Sequence, residues 1–167
     1  LNALLALSID GRSIEDHIKE NIGIIGEKLE LATYESAEAE RVISYIHPGN
    51  KLATIVGFNR SDVDAQAAKD IAMQVAAMSP VAIDKDGVPA DIIEKEKEIG
   101  REQARAEGKP ENILEKIAEG KLNKFFKENT LLNQDFIKES KKTVRQYLKE
   151  VDGDLTVTDF KRFGLNA

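Results

Sequence analysis

Residues 41–80 read RVISYIHPGNKLATIVGFNRSDVDAQAAKDIAMQVAAMSP, and this stretch decides the fold. Arg41 to Ile46 and Leu52 to Phe58 are rich in Val, Ile, Tyr and Phe, the residue types that suit half-buried strands. Between them stands His47-Pro48-Gly49-Asn50-Lys51, where Pro, Gly and Asn each favour a turn for a different backbone reason. The spacing predicts a β-hairpin. Asp62 to Met78 then changes period: Ala65, Ala68, Ile71, Ala72, Val75 and Ala76 recur at helical intervals and form a broad stripe of small apolar side chains. Such a helix can lie close against a sheet, and Pro80 stops it.

Upstream, Leu1 to Leu7 is apolar and reads as the end of a helix. Ser13-Ile14-Glu15-Asp16 is a helix start with Ser13 as N-cap. The helix carries His17, Ile18, Ile22 and Ile25 on one side, and Gly26 ends it. Lys28 to Glu35 sets Leu29, Leu31 and Thr33 against Glu30, Ala32 and Tyr34, a strand-like alternation.

Downstream, the character changes at Asp84-Lys85-Asp86-Gly87-Val88-Pro89. Asp91 to Glu107 is dense in Glu, Lys and Arg, with Ile92, Ile99 and Ala106 at heptad spacing. Gly108-Lys109-Pro110 breaks it, Gly where a helix ends and Pro where the next begins. Glu111 to Lys127 is the return arm, with Leu114, Ile117, Ala118, Leu122 and Phe125. So short a link makes the two helices antiparallel neighbours, and so polar a pair is expected to project from a globular body. After an apolar stretch at Leu131 to Ile137, Ser140 to Glu150 reads as an amphipathic helix on Val144, Tyr147 and Leu148, and Leu155 to Phe163 as a last strand. The expected fold is α+β: a small antiparallel sheet packed with helices, with an inserted antiparallel coiled-coil helical hairpin. The expected organisation is residues 1–38 as one subdomain, 39–86 with 128–167 as a second, and 87–127 as the inserted hairpin.

With 41% hydrophobic and 32% charged residues, the 167-residue chain has the composition of a folded domain rather than a disordered one. Its net charge of -6 argues against a nucleic-acid surface, which needs clustered Lys and Arg. No apolar run approaches the ~20 residues that cross a bilayer, and no secretory signal opens the chain, so a cytoplasmic protein without membrane contact is expected. The absence of cysteine excludes disulfides, cysteine nucleophiles and thiolate metal sites.

Catalytic chemistry finds little to stand on. Glu94, Glu96, Glu98 and Glu102 cluster on the projecting helix, where a solvated face is the simpler reading than an acid–base pair in a cleft. Asp84-Lys85-Asp86-Gly87 superficially resembles a calcium loop, but Gly stands at the fourth position and Lys95 at the twelfth, where that loop needs Gly at six and Glu at twelve. Gly23-Ile24-Ile25-Gly26 lacks a dinucleotide fingerprint, and there is no P-loop. No catalytic residue, cofactor or metal is expected. His17, beside apolar residues on a helix, reads as structural. His47 sits on an exposed turn, and taken alone would most simply be a turn residue of no consequence.

Several stretches together resemble bacterial translation elongation factor Ts. Gly57-Phe58-Asn59 through Pro80, above all Ala68-Lys69-Asp70-Ile71-Ala72-Met73-Gln74-Val75-Ala76-Ala77-Met78-Ser79-Pro80, is similar to the helix after the second hairpin of that family's core. Tyr45-Ile46-His47-Pro48-Gly49-Asn50-Lys51 fits the family's His-containing turn, and Gly26-Glu27-Lys28-Leu29-Glu30-Leu31 the passage before it. Glu94-Lys95-Glu96, Gly108-Lys109-Pro110 and Ile117-Ala118-Glu119-Gly120-Lys121-Leu122-Asn123-Lys124-Phe125 match its protruding coiled-coil hairpin. Leu131-Leu132-Asn133-Gln134-Asp135-Phe136 and Lys142-Thr143-Val144 follow in the expected order.

The resemblance implies a non-enzymatic exchange factor that binds elongation factor Tu and speeds its release of GDP. It implies His47 as a partner-contacting residue, held out by Pro48, Gly49 and Asn50. Ile92, Ile99, Leu114, Ile117 and Leu122 are expected to pack the hairpin arms on each other, with self-association into a homodimer as their alternative role, while Phe125 and Phe126 anchor its base. The family also carries a Thr-Asp-Phe-Val motif whose Phe disturbs the partner's magnesium site. Thr158-Asp159-Phe160 is followed by Lys161 and lies in the last strand, so it reads as coincidence, with Phe160 a core residue. The motif and a small N-terminal helical domain are expected upstream of Leu1. With no initiator Met, the chain reads as a fragment or processed form, expected to bind weakly and to stimulate release less than an intact factor. The competing reading is a coiled-coil adaptor unrelated to translation.

Overall fold

The computed structural model describes residues 1–165; Asn166 and Ala167, the last of the expected 128–167 segment, lie outside the described residues. The chain forms two compact units, Leu1–Ser36 and another that begins at Ala37.

The first unit contains α1 (Asn2–Leu5), β1 (Ser8–Ile9), β2 (Arg12–Ser13) and α2 (Ile14–Ile25). β1 and β2 pair antiparallel across Asp10-Gly11, which take φ of 52° and 80°. Positive φ at both central residues is the mark of a two-residue hairpin turn, so Asp-Gly here is chosen by backbone geometry. Ser13 caps α2 as its sequence predicts: its Oγ accepts the Asp16 N–H at 3.0 Å. Gly26 closes the helix with φ 77°. His17 Nε2 lies 3.0 Å from the Ile9 carbonyl oxygen, which ties α2 to β1. The strand expected over Lys28 to Glu35 does not form; these residues have no regular secondary structure. An alternating pattern makes a strand only where a ladder partner satisfies its N–H and C=O groups, and none pairs here.

The second unit is built on β3 (Arg41–Ile46), β4 (Leu52–Phe58), α3 (Ala65–Met78), α4 (Ala90–Ala106), α5 (Glu111–Asn129), β5 (Asp135–Phe136), β6 (Glu139–Thr143), α6 (Val144–Val151) and β7 (Val157–Gly164). The 41–58 hairpin is present, with Ile43 opposite Val56 and Tyr45 opposite Thr54. β7 pairs antiparallel on the other side of β4, so the sheet order is β3-β4-β7. Val56, Phe58 and Val157 on its inner face meet Ala68, Ile71, Ala72 and Val75 of α3, all buried. Burying each Ile or Val of that stripe contributes roughly 1.5–3 kcal/mol. Thr54 Oγ1 donates to the Ala72 carbonyl at 2.9 Å, so this buried hydroxyl is satisfied. The helix starts at Ala65 rather than Asp62, because Asp64 caps it by accepting the Ala67 N–H at 2.8 Å. Ala65 is consequently exposed, and the stripe begins at Ala67.

The helix expected over Ser140 to Glu150 is two elements. Ser140 to Thr143 belong to β6, paired with β5, and the helix begins only at Val144. Thr143 and Gln146 form a reciprocal capping box, whose T-x-x-Q signature stands in the sequence.

α4 and α5 form an antiparallel helical hairpin: Arg105 bonds Glu111 at 3.1 Å, Arg101 bonds Glu115 at 2.9 Å, and Gly100 faces Ala118. Its seam does not follow the heptad line on which a coiled coil was expected. Ala106 is exposed, while the buried residues of α4 are Gly100 and Ala104, set against Leu114, Ala118 and Leu122. Small side chains at the crossing let the two backbones approach more closely than isoleucines would.

At its base, Ala82, Val88, Leu122 and Phe126 make a second small core, with Ile92, Ile93 and Phe125 against it. The Asp84 carboxylate joins the two chain passages there: it accepts from Asn133 Nδ2 at 2.8 Å, from the Lys85 N–H at 2.8 Å and from the Arg145 guanidinium. Burial pushes this carboxyl up, but the hydrogen bonds from Arg145, Asn133 and Lys85 outweigh it and hold it below its ordinary value.

Candidate functional site

The His47 turn is built by backbone rules before any side chain acts. His47 N–H donates to the Leu52 carbonyl at 2.8 Å, and Asn50 N–H donates to the His47 carbonyl at 3.0 Å. Pro48 follows His47, and Gly49 has φ 94°. Proline at the second position and a positive-φ glycine at the third are the requirements of a type II turn. Asn50 continues with φ 55°, which asparagine tolerates better than most residues. His47, Pro48, Gly49 and Asn50 are all exposed.

The imidazole on this turn is held at one end. Tyr45 Oη lies 2.9 Å from His47 Nδ1, and the two rings meet edge to face with centroids 6.0 Å apart. Tyr45 is half-buried against the main core. Ile46, pointing to the other side of the strand, is 63% exposed. Neither Tyr45 nor Ile46 stood out as a site residue from sequence. The signal was present, since a period of two puts Tyr45 and His47 on one face of the strand.

Leu114 and Leu122 are buried between the arms, Ile99 and Ile117 are half-buried, and Ile92 packs at the base. No hydrogen bond or ion pair among the described residues joins the hairpin to the His47 turn. The hairpin's charges neutralise each other: Arg101 bridges Glu115 and Glu98, each at 2.9 Å, and Lys97 sits 3.9 Å from Glu94. Glu115, then Glu98, hold the Arg101 guanidinium above its ordinary value, and Arg101 holds the Glu115 carboxyl below its own. Among the described residues, no group of three or more His, Asp or Glu could hold a metal ion, and no helix is long and apolar enough to cross a membrane.

Thr158-Asp159-Phe160 lies on β7. Asp159 pairs with Lys161 at 3.1 Å, and Phe160, opposite Val56, packs on the main core. The residue is half-buried there.

The family model described as "Elongation factor TS" matches residues 1–167. The chain is 55% identical over 165 residues to elongation factor Ts of Porphyromonas gingivalis, covering 98% of this chain and 60% of that protein. It is 51% identical to that of Flavobacterium psychrophilum, over 96% of this chain and 59% of the relative. To that of a Hydrogenobaculum species it is 46% identical, over 99% and 59%. The chain thus spans about 60% of the length of the curated relatives it matches. A match to the family over every residue, with relatives at 46–55% identity, leaves one conclusion: the chain belongs to the elongation factor Ts family.

Proposed function

We propose that the chain is the part of an elongation factor Ts that docks on elongation factor Tu through the His47 turn and favours the GTPase without nucleotide, so that GDP leaves. The observation that carries this reading is an exposed imidazole on a pre-formed turn, in a chain that matches the family along its whole length. A type II turn fixed by Pro48 and Gly49 loses little conformational entropy on binding, which suits it to dock as it stands.

The work is done by differential binding rather than by a reactive group. A partner that binds the nucleotide-free state more tightly than the GDP state weakens GDP binding by the same factor. Each tenfold of that preference needs about 1.4 kcal/mol of contacts made in one state and not the other. We assign the hairpin core of Leu114 and Leu122 to holding the two arms together rather than to a homodimer contact, because both side chains are already buried between the arms. A translation factor of this kind works in the cytoplasm.

Titration of the chain into elongation factor Tu, once loaded with GDP and once stripped of nucleotide, tests the reading. Tighter binding to the stripped form is expected. Equal affinities, or no binding to either form, would overturn it.

A further inference from the structure

We infer that Tyr45 is the positioning residue for His47: its hydroxyl donates to Nδ1, holds the neutral imidazole as the Nε2–H tautomer, and leaves Nε2–H facing outward as a donor to a partner's carbonyl or carboxylate oxygen. The inference rests on the reading of His47 as a partner contact and adds the group that orients it.

Three observations support it. Tyr45 Oη sits 2.9 Å from His47 Nδ1, and His47 Nδ1 is the one hydrogen-bond partner this hydroxyl has among the described residues. A tyrosine hydroxyl is a good donor, and an unprotonated ring nitrogen is a good acceptor for it. Accepting at Nδ1 then requires the proton of the neutral ring to be on Nε2. The anchor is itself fixed. Tyr45 packs on the main core and pairs across the ladder with Thr54, whose hydroxyl is bonded to the Ala72 carbonyl of α3. A continuous set of contacts therefore runs from the buried helix to the exposed ring. Finally, Nε2 of His47 has no partner among the described residues, and the residue is exposed, so that nitrogen is the end offered to another molecule.

Tyr45→Phe keeps the ring and its packing and removes the hydroxyl alone. Long-range proton–nitrogen correlation on the 15N-labelled chain, about two pH units above the ordinary histidine value of ~6.5, reads the tautomer directly. The wild-type chain should show His47 as Nε2–H only. Tyr45→Phe should show a mixture of both tautomers with unchanged melting of the chain. In binding to nucleotide-free elongation factor Tu, Tyr45→Phe should lose about threefold to tenfold in affinity, the worth of one ordinary hydrogen bond. The double variant with His47→Ala should bind no more weakly than His47→Ala alone. The same tautomer in both chains, or losses that simply add, would overturn the inference. Wild-type affinity in His47→Ala would instead sink the partner-contact reading, and the tautomer comparison would still decide the role of Tyr45.

Discussion

At the scale of single residues, His47 separates binding from stability. Its side chain touches Tyr45 and otherwise faces solvent, so truncation removes little that holds the fold. Exposed substitutions usually change stability by less than about 0.5 kcal/mol. If the imidazole is an anchoring contact, its loss should cost more than about 1 kcal/mol of binding, fivefold or more in affinity. His47→Ala is therefore expected to weaken binding to elongation factor Tu, measured by calorimetry, while the thermal melt followed by circular dichroism stays in place. A melt lowered by many degrees with unchanged binding would make His47 structural. The turn was legible in the sequence because Pro, Gly and Asn each answer a backbone demand that does not depend on the rest of the molecule. Tyr45 was legible only in part: the period of two puts it on the face of His47, but the contact between its hydroxyl and the neighbouring ring is visible only in the fold.

At the scale of elements, two glycines of the hairpin should respond in opposite directions. A Cβ on Gly100 would come 3.0 Å from Ala118 Cα and 3.4 Å from its Cβ, so Gly100→Val should force the arms apart. Overpacking of this kind costs about 1–3 kcal/mol. Gly120 lies in α5 with nothing within 4 Å of the corresponding position, so Gly120→Ala should stabilise by about 0.5–1 kcal/mol through helix propensity. Denaturant melts of the two variants check the signs. Two losses of similar size would mean the seam has been misplaced.

The base of the hairpin offers a pH test. The Asp84 carboxyl is held below its ordinary 3.8, so near that pH the unfolded chain takes up more protons than the folded one. Its contribution is fully present above about pH 5, begins to fall near the unfolded value and is lost as pH falls through the lower folded value. Asp84→Asn should flatten the acid side of the stability profile below about pH 4, read from denaturant midpoints at several pH values. An unchanged acid limb would mean the carboxylate is not clasping the hairpin base.

Elements whose signals were local came through intact: the Ser13 cap and Gly26 stop of α2, and the Gly108-Lys109-Pro110 break between α4 and α5. Those that depend on a distant partner did not. Lys28 to Glu35 alternates like a strand but has no neighbour to pair with, while Ser140 to Thr143 reads as helix yet is drawn into a ladder with β5. The heptad line failed for a related reason, since the seam is chosen by how closely two helices can approach, and Gly100 with Ala104 wins over Ile99.

At the scale of the whole molecule, the sheet, α3 and α6 form one body, and the chain leaves it at Ala82 and returns at Thr130, where the two passages pair. Gln74 and Gln134 reinforce that return: Gln74 Oε1 accepts the Ile137 N–H at 2.8 Å and Gln134 Nε2 donates to the Glu128 carbonyl at 2.9 Å. A helical hairpin so closed at its base can be long without disturbing the sheet beside the His47 turn. The most direct measurement is the affinity of elongation factor Tu for GDP at saturating concentrations of this chain. GDP binding should weaken by the same factor by which the chain prefers the nucleotide-free partner, and by less with His47→Ala at the same concentration. A GDP affinity unchanged by the bound chain would contradict the exchange-factor reading.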